Sequence, residues 1–254
     1  MFFLALYFKF QHSILTYSYI YIRIAIVFFM LPVLGEKVLS NLIVKNVIVT
    51  LIILGLWPCF QNIINPEQGW IMIIISESIV GIMLAFSLCV PFWVVIGIGE
   101  ILDNQRGATI SDSIDPVNGV QSSILSSFLN FSFGAIFFTS GGMKRLIEIV
   151  VQSYQLFPIG QSLNNIHFEY VGDLLILMIK SSILLSSPVM IVLMISELLL
   201  GVFARYCPQL NPFSLSLTIK SFIAFSIFIF YGFNALTEKP LHLFSVSYFK
   251  QFIQ

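Results

Sequence analysis

Apolar residues come in long blocks separated by short polar punctuation, and blocks of this length predict membrane-type helices rather than strands. A first block runs from about Ile14 to Leu34, a second from Leu42 to Ile64 and a third from Trp70 to about Ile98. Each exceeds the roughly 20 residues needed to cross a bilayer core. Glu36 and Lys37 punctuate the first connection, and Asn65-Pro66-Glu67-Gln68-Gly69 is a turn signal in the second. Pro91 interrupts the third block, leaving either a kinked helix or a span joined to a shorter second piece. Ile124 to Thr139 forms a fourth block, closed by Gly141-Gly142-Met143-Lys144-Arg145. From Leu146 to Asp173 apolar positions mix with Glu148, Gln152, Gln155, Pro158, Gly160, Asn164, Asn165 and His167, the pattern of an amphipathic helix and then a polar loop that does not span. Leu174 to Ala204, with Pro188 inside it, and Leu215 to Leu236 are the fifth and sixth blocks, before a tail rich in Phe and Tyr. The expected fold is all-α: one domain over residues 1–254, about six long hydrophobic helices and a central polar, Gly-rich loop.

That loop lies within Gly97 to Asn118. Glu100, Asp103, Arg106, Asp112 and Asp115 crowd into this stretch between two apolar runs that carry few charges. Gly97, Gly99, Gly107, Pro116 and Gly119 argue against one rigid helix throughout, and Asp115-Pro116 biases the chain toward a turn. The stretch reads as a helix end followed by a long, hinged loop, serving either as a connector or as a functional element.

Composition turns the block pattern into a membrane assignment: 58% of the residues are apolar and 9% charged, with a mean hydropathy of +0.97. Such a chain is an integral membrane protein. Lys+Arg and Asp+Glu stand at 12 each, which gives no basic surface for nucleic acid and no polybasic lipid switch. Cys59, Cys89 and Cys207 are far apart beside Pro or within apolar runs, as small buried side chains rather than a disulfide framework. Lys9 precedes an apolar run too long for a signal peptide, with no small-x-small cleavage site after it, so the first helix is expected to stay. Lys9, Lys144, Arg145, Lys239 and Lys250 fall on one side of the predicted spans and Lys37, Arg106 and Arg205 on the other, an imbalance too small to orient them.

Charges also occur inside nearly every span: Arg23, Lys45, Glu77, Lys180, Glu197 and Lys220. Turning all of them toward lipid would cost on the order of 15 kcal/mol at roughly 2.5 to 3.5 kcal/mol each. Lys45 and Lys220 lie near the starts of their spans, where a long side chain reaches water. Arg23, Glu77 and Glu197 are expected instead to face other helices, partner subunits or a water-filled path. The two glutamates share a context, Ile75-Ser76-Glu77-Ser78-Ile79-Val80-Gly81 and Ile195-Ser196-Glu197-Leu198-Leu199-Leu200-Gly201. Four-residue spacing puts Glu and Gly on one helix face, where the glycine admits a neighbouring backbone close to the carboxylate. An internal repeat, a packing device used twice and coincidence all fit the pattern.

Catalytic signatures are missing. His12, His167 and His242 lie outside the predicted spans, and no H-E-x-x-H, H-x-H or C-x-x-C occurs. Gly97-x-Gly99 follows a helical block rather than a strand and is no dinucleotide loop. Asp112 and Asp115, beside Pro116, suit turn hydrogen bonds better than acid–base work. Neither an enzyme nor a bound cofactor is expected.

Three blocks of residues resemble the SctT family of bacterial type III secretion, the SpaR- and FliR-like proteins, and most of all its SpaR injectisome branch. Leu102-Asp103-Asn104-Gln105-Arg106-Gly107-Ala108-Thr109 and Ser113-Ile114-Asp115-Pro116-Val117-Asn118-Gly119 carry the central signature, preceded by Pro91-Phe92-Trp93. The second block comprises Ser187-Pro188-Val189, Ser196-Glu197-Leu198-Leu199-Leu200-Gly201, Arg205, Pro208-Gln209-Leu210-Asn211 and Leu217-Thr218-Ile219-Lys220-Ser221. The third, Arg23 with Phe28-Phe29-Met30-Leu31-Pro32, is weaker. What the resemblance implies is a core export-gate subunit of the bacterial inner membrane, assembled with SctR- and SctS-like subunits, alongside SctU- and SctV-like ones, around a closed entry pore for unfolded secreted proteins. It also implies a pore plug, for which Gln105, Arg106, Gly107, Asp112, Asp115, Pro116, Asn118 and Gly119 are the candidates. Arg23, Glu77, Glu197, Arg205 and Lys220 are candidate interhelical or subunit-interface charges. The competing reading is a stand-alone secondary transporter or channel that uses Glu77 and Glu197 as ion sites in two repeated halves.

Overall fold

A computed structural model describes residues 2–35, 41–60, 69–107, 123–160, 169–206, 212–232 and 240. Among these the chain is all-α, with α1 (Phe2–Met30), α2 (Leu42–Leu56), α3 (Trp70–Arg106), α4 (Ile124–Thr139), α5 (Gly142–Leu156), α6 (Tyr170–Tyr206) and α7 (Pro212–Ile227). Short 3-10 turns, Pro32–Leu34 and Trp57–Phe60, follow α1 and α2, and a π turn, Phe228–Gly232, follows α7. Among the described residues four helices are long and apolar enough to cross a membrane: α1, α2 with its 3-10 turn, α3 and α6; α4 with α5 counts as a fifth if taken as one broken span. The expected six are therefore approximate. α4 and α7 have 16 residues each, short of a full crossing, and the residues 233–236 that would extend the sixth block lie outside the described ones.

Element boundaries differ from the sequence reading for local reasons. α1 begins well before Ile14, at Phe2, and within it Ser13 Oγ donates to the Lys9 carbonyl and Thr16 Oγ1 to that of His12, both at 2.9 Å. α3 passes unbroken through Pro91, Gly97 and Gly99 to Arg106. Gly97 and Gly99 are close-packing positions and not breaks. A Cβ on Gly99 would lie 2.3 Å from Ser126 Cα, and one on Gly97 2.8 Å from Ser182 Oγ. α6 likewise runs through Pro188. Proline at that position leaves the Leu184 carbonyl without its helical donor, and Ser187 Oγ supplies one at 2.8 Å.

The chain divides into two compact units, each built from separated segments. In the first, residues 2–89 and 141–174, α1 buries Ile20, Ile24 and Val27 at helical spacing and Leu31 just beyond its end, with Val49 and Ile53 of α2, Val80, Leu84 and Leu88 of α3, and Leu146 and Val150 of α5 also in the core. α1 and α2 join along a polar seam, where Tyr21 donates to Asn46 Oδ1 at 3.0 Å and the Tyr17 and Thr50 hydroxyls meet at 3.1 Å. In the second unit, residues 90–140 and 175–232, the ring of Phe92 meets Phe133 and Phe137 edge-on at 5.1 and 5.3 Å between centroids. Leu185, Val189 and Leu193 of α6 recur every four residues and complete that core.

Candidate functional site

Arg23 of α1 and Glu77 of α3 form a fully buried pair in the first unit. Arg23 Nε donates to Glu77 Oε2 at 2.7 Å and an Nη2 hydrogen goes to Oε1 at 2.9 Å, a bidentate fork that uses both carboxylate oxygens. The other Nη2 hydrogen reaches the Phe157 carbonyl at 3.0 Å, while Nη1 donates to the carbonyl and Oγ of Ser153 at 3.2 and 3.4 Å. All five guanidinium donors thus have acceptors. Ser153 lies in the last turn of α5 and Phe157 is its C-cap, where the helix dipole favours a cation; the Ser153 carbonyl also accepts from the Phe157 N–H at 2.9 Å, so Arg23 is its second donor. The Tyr154 ring covers the guanidinium at 4.1 Å, and its hydroxyl donates to the Ile20 carbonyl at 3.2 Å. Sequence reading singled out Arg23 and Glu77 but missed Ser153, Tyr154 and Phe157. The available signal was Pro158, which follows the end of α5 and so marks the helix C-terminus, the end that favours a cation, at these residues.

The second Ile-Ser-Glu copy behaves differently. Where Gly81 faces the α1 backbone, with an added Cβ 3.2 Å from Arg23 Cα, an added Cβ on Gly201 would have nothing within 4 Å. Glu197 is 63% exposed, and its Oε1 accepts from Lys220 Nζ of α7 at 2.9 Å. Lys220 does not reach water as its position suggested: it is buried and paired. Lys45 also departs from the snorkelling expectation, being 9% exposed with Nζ 5.7 Å from the Phe29 ring centroid. Arg205 and Lys180 are exposed.

Asp103 ties the two ends of the central loop. Its Oδ1 accepts from Arg106 Nε at 2.6 Å, and its Oδ2 accepts from Ser123 Oγ and from the Leu125 N–H, the latter at 3.0 Å. Ser123 Oγ in turn accepts from the Ser126 N–H at 3.0 Å, capping α4. Gln105 and Arg106, expected in the loop, belong to the last turn of α3, and Gly107 leaves it with φ of 80°. Asp112, Asp115, Pro116, Asn118 and Gly119 lie outside the described residues. Among the described residues no three His, Cys, Asp or Glu are gathered as a metal ion would need.

The family model for bacterial export proteins, family 1, matches residues 14–243. The chain is 37% identical over 246 residues to surface presentation of antigens protein SpaR of Salmonella typhimurium, covering 95% of this chain and 92% of that one. It is 40% identical over 213 residues to SpaR of Shigella flexneri, at 83% and 82% coverage. To Yop proteins translocation protein T of Yersinia pestis it is 30% identical over 229 residues, 87% of each chain.

Proposed function

The chain belongs to family 1 of the bacterial export proteins, the SctT family of type III secretion, and on that premise we propose that it is a core subunit of the export gate. It is a multi-pass protein of the bacterial inner membrane. In the proposed role it assembles with SctR- and SctS-like subunits, near SctU- and SctV-like ones, and helps form a closed entry pore for unfolded secreted proteins. The observation that carries the reading is the reach of the likeness: residues 14–243 include the Arg23–Glu77 pair, the Asp103 tie, the central loop and all of α6.

The charges support the same reading. Glu77 has both oxygens held by Arg23, which leaves no open carboxylate there for a transported ion, and Glu197 sits in a different environment from its sequence counterpart. Two equivalent ion sites in repeated halves are therefore not favoured. The plug function belongs to residues 105–119, with Gln105 and Arg106 as the helical base and the remainder as the displaceable part. Co-expression tests the assignment. The chain should co-purify with the SctR- and SctS-like subunits of its own secretion system and be short-lived without them. A stable, monodisperse chain that ignores those subunits would remove the export-gate role.

A further inference from the structure

Lys45 is a buried cation with no anion beside it among the described residues. Arg23, Arg106, Lys144 and Lys220 each meet a carboxylate, whereas no described carboxylate or hydrogen-bond acceptor reaches Lys45 Nζ. Its neighbour is the Phe29 ring, 5.7 Å away. A cation–π contact is worth about 0.5 to 2 kcal/mol, less than the several kcal/mol that taking an ammonium out of water costs. The direction of the side chain follows from the hairpin. Tyr21 bonds Asn46 and Tyr17 meets Thr50, so α1 and α2 are antiparallel, and Phe29 lies about two turns beyond Tyr21 toward the α2 N-terminus. Lys45 therefore reaches toward that end of its own helix.

There Asn41 caps α2 by accepting from the Ile43 N–H at 3.0 Å, and the helix dipole adds partial positive charge. A helix N-terminus with a lysine in its first turn is suited to hold a phosphate. Below Lys45, Ile48, Ile52 and Gly55 follow at helical spacing, half-buried at the isoleucines and open at Gly55, where an added Cβ would have nothing within 4 Å. Val44 and Leu51 flank this stripe and are exposed. Of the described membrane-length helices α2 is covered least. At 1.5 Å per residue Gly55 lies about 15 Å along the axis from Lys45, about half the thickness of a bilayer's hydrocarbon core.

We infer that Lys45 and the N-terminal end of α2 bind the phosphate of an anionic phospholipid whose acyl chain lies along Ile48, Ile52 and Gly55. Charge selects the occupant: a zwitterionic lipid carries its own ammonium beside the phosphate, which competes with Lys45, and an anionic lipid does not. The inference rests on the membrane assignment and is independent of the export-gate role.

The full chain, with whatever subunits co-purify, is stripped of lipid in neutral detergent and titrated with phosphatidylglycerol or with phosphatidylcholine of the same chains, and bound lipid is counted by native mass spectrometry. The unaltered chain should bind phosphatidylglycerol about tenfold or more tightly than Lys45→Met, as expected for loss of a hydrogen bond to a charged group. Lys45→Arg should keep the binding, and phosphatidylcholine should not distinguish the three. In lipid-free detergent Lys45→Met should melt no lower than the unaltered chain, and it should lose the rise in melting temperature that phosphatidylglycerol gives. Gly55→Leu puts a side chain on the acyl-chain path where nothing in the chain opposes its Cβ, and it should weaken phosphatidylglycerol binding with the charge intact. Equal binding by the unaltered chain and Lys45→Met, or unchanged binding by Gly55→Leu, overturns the inference. Displacement of the lipid by millimolar inorganic phosphate also overturns it, since the site would then hold an anion without its tails. Loss of co-purifying subunits from Lys45→Met would assign the lysine to a subunit's carboxylate instead. Binding that appears only in Glu36→Gln would assign it to the nearest carboxylate of the sequence, and either result removes the lipid.

Discussion

Arg23 shows how one buried charge can be fully satisfied and still be a point of vulnerability. Its five donors meet Glu77, Ser153 and Phe157. Removing either ionic partner strands the other in a fully buried site, which costs about 3 to 5 kcal/mol. Arg23→Leu and Glu77→Leu should each sharply reduce thermal stability in detergent. The double variant should be less damaged than the sum of the two, since no bare charge remains, yet stay below the unaltered chain because the Ser153 and Phe157 carbonyls lose the hydrogen bonds from Arg23. Additive losses would show that the pair is not coupled. Glycine gives a second contrast at this scale. Gly99→Ala should destabilise the protein strongly, because its Cβ would overlap the Ser126 backbone, whereas Gly55→Ala should be neutral or gain up to about 1 kcal/mol in helix propensity. Comparing melting temperatures of the two variants checks it.

At the scale of elements, the end of α3 and the start of α4 are held by one side chain. Asp103 is buried, accepts from both helices and places a negative charge at the α4 N-terminus, where the dipole favours it. Asp103→Ala should cost about 1 to 3 kcal/mol, since Ser123 and the Leu125 amide lose a charged acceptor. Hydrogen exchange at Leu125 and Ser126 should accelerate more than exchange in the middle of α4. Uniform acceleration along α4 would mean that the effect is global and that Asp103 is not a local tie. The proline of α6 makes a related point, because a helix survives Pro188 when a neighbouring hydroxyl serves the carbonyl that proline frees.

At the scale of the whole molecule, large apolar areas of α2 and α6 are left uncovered among the described residues. Lipid or other subunits must cover them, which is why assembly rather than the isolated chain is the state to measure. Removing Thr109 to Asn118 should let small ions or dyes leak through the assembled complex while leaving assembly largely intact, because the Asp103 tie lies outside the deleted residues. Gly119→Pro should impair secretion by restricting displacement of the segment. Gly107 is unsuited to that test, as proline cannot adopt its φ of 80° and the end of α3 would be rebuilt. Loss of assembly on deletion, with no leak in any milder variant, would make the stretch a structural connector.

The block pattern by itself determined that this is a helical membrane protein, because apolar length and helical period are properties of contiguous residues. It placed α4 at Ile124–Thr139 and the starts of α2 and α3, where a turn signal or polar residue adjoins the block. It also marked the charges that lipid would not tolerate. The partners of those charges were decided only by the tertiary structure: Arg23 meets Glu77 across 54 residues and Ser153 across 130. Which side of a helix is covered was decided in the same way, so two copies of one motif ended in opposite settings, Gly81 against a backbone and Gly201 in open space. Local pattern records what a helix face can tolerate, and the packing of distant segments determines which neighbour fills it.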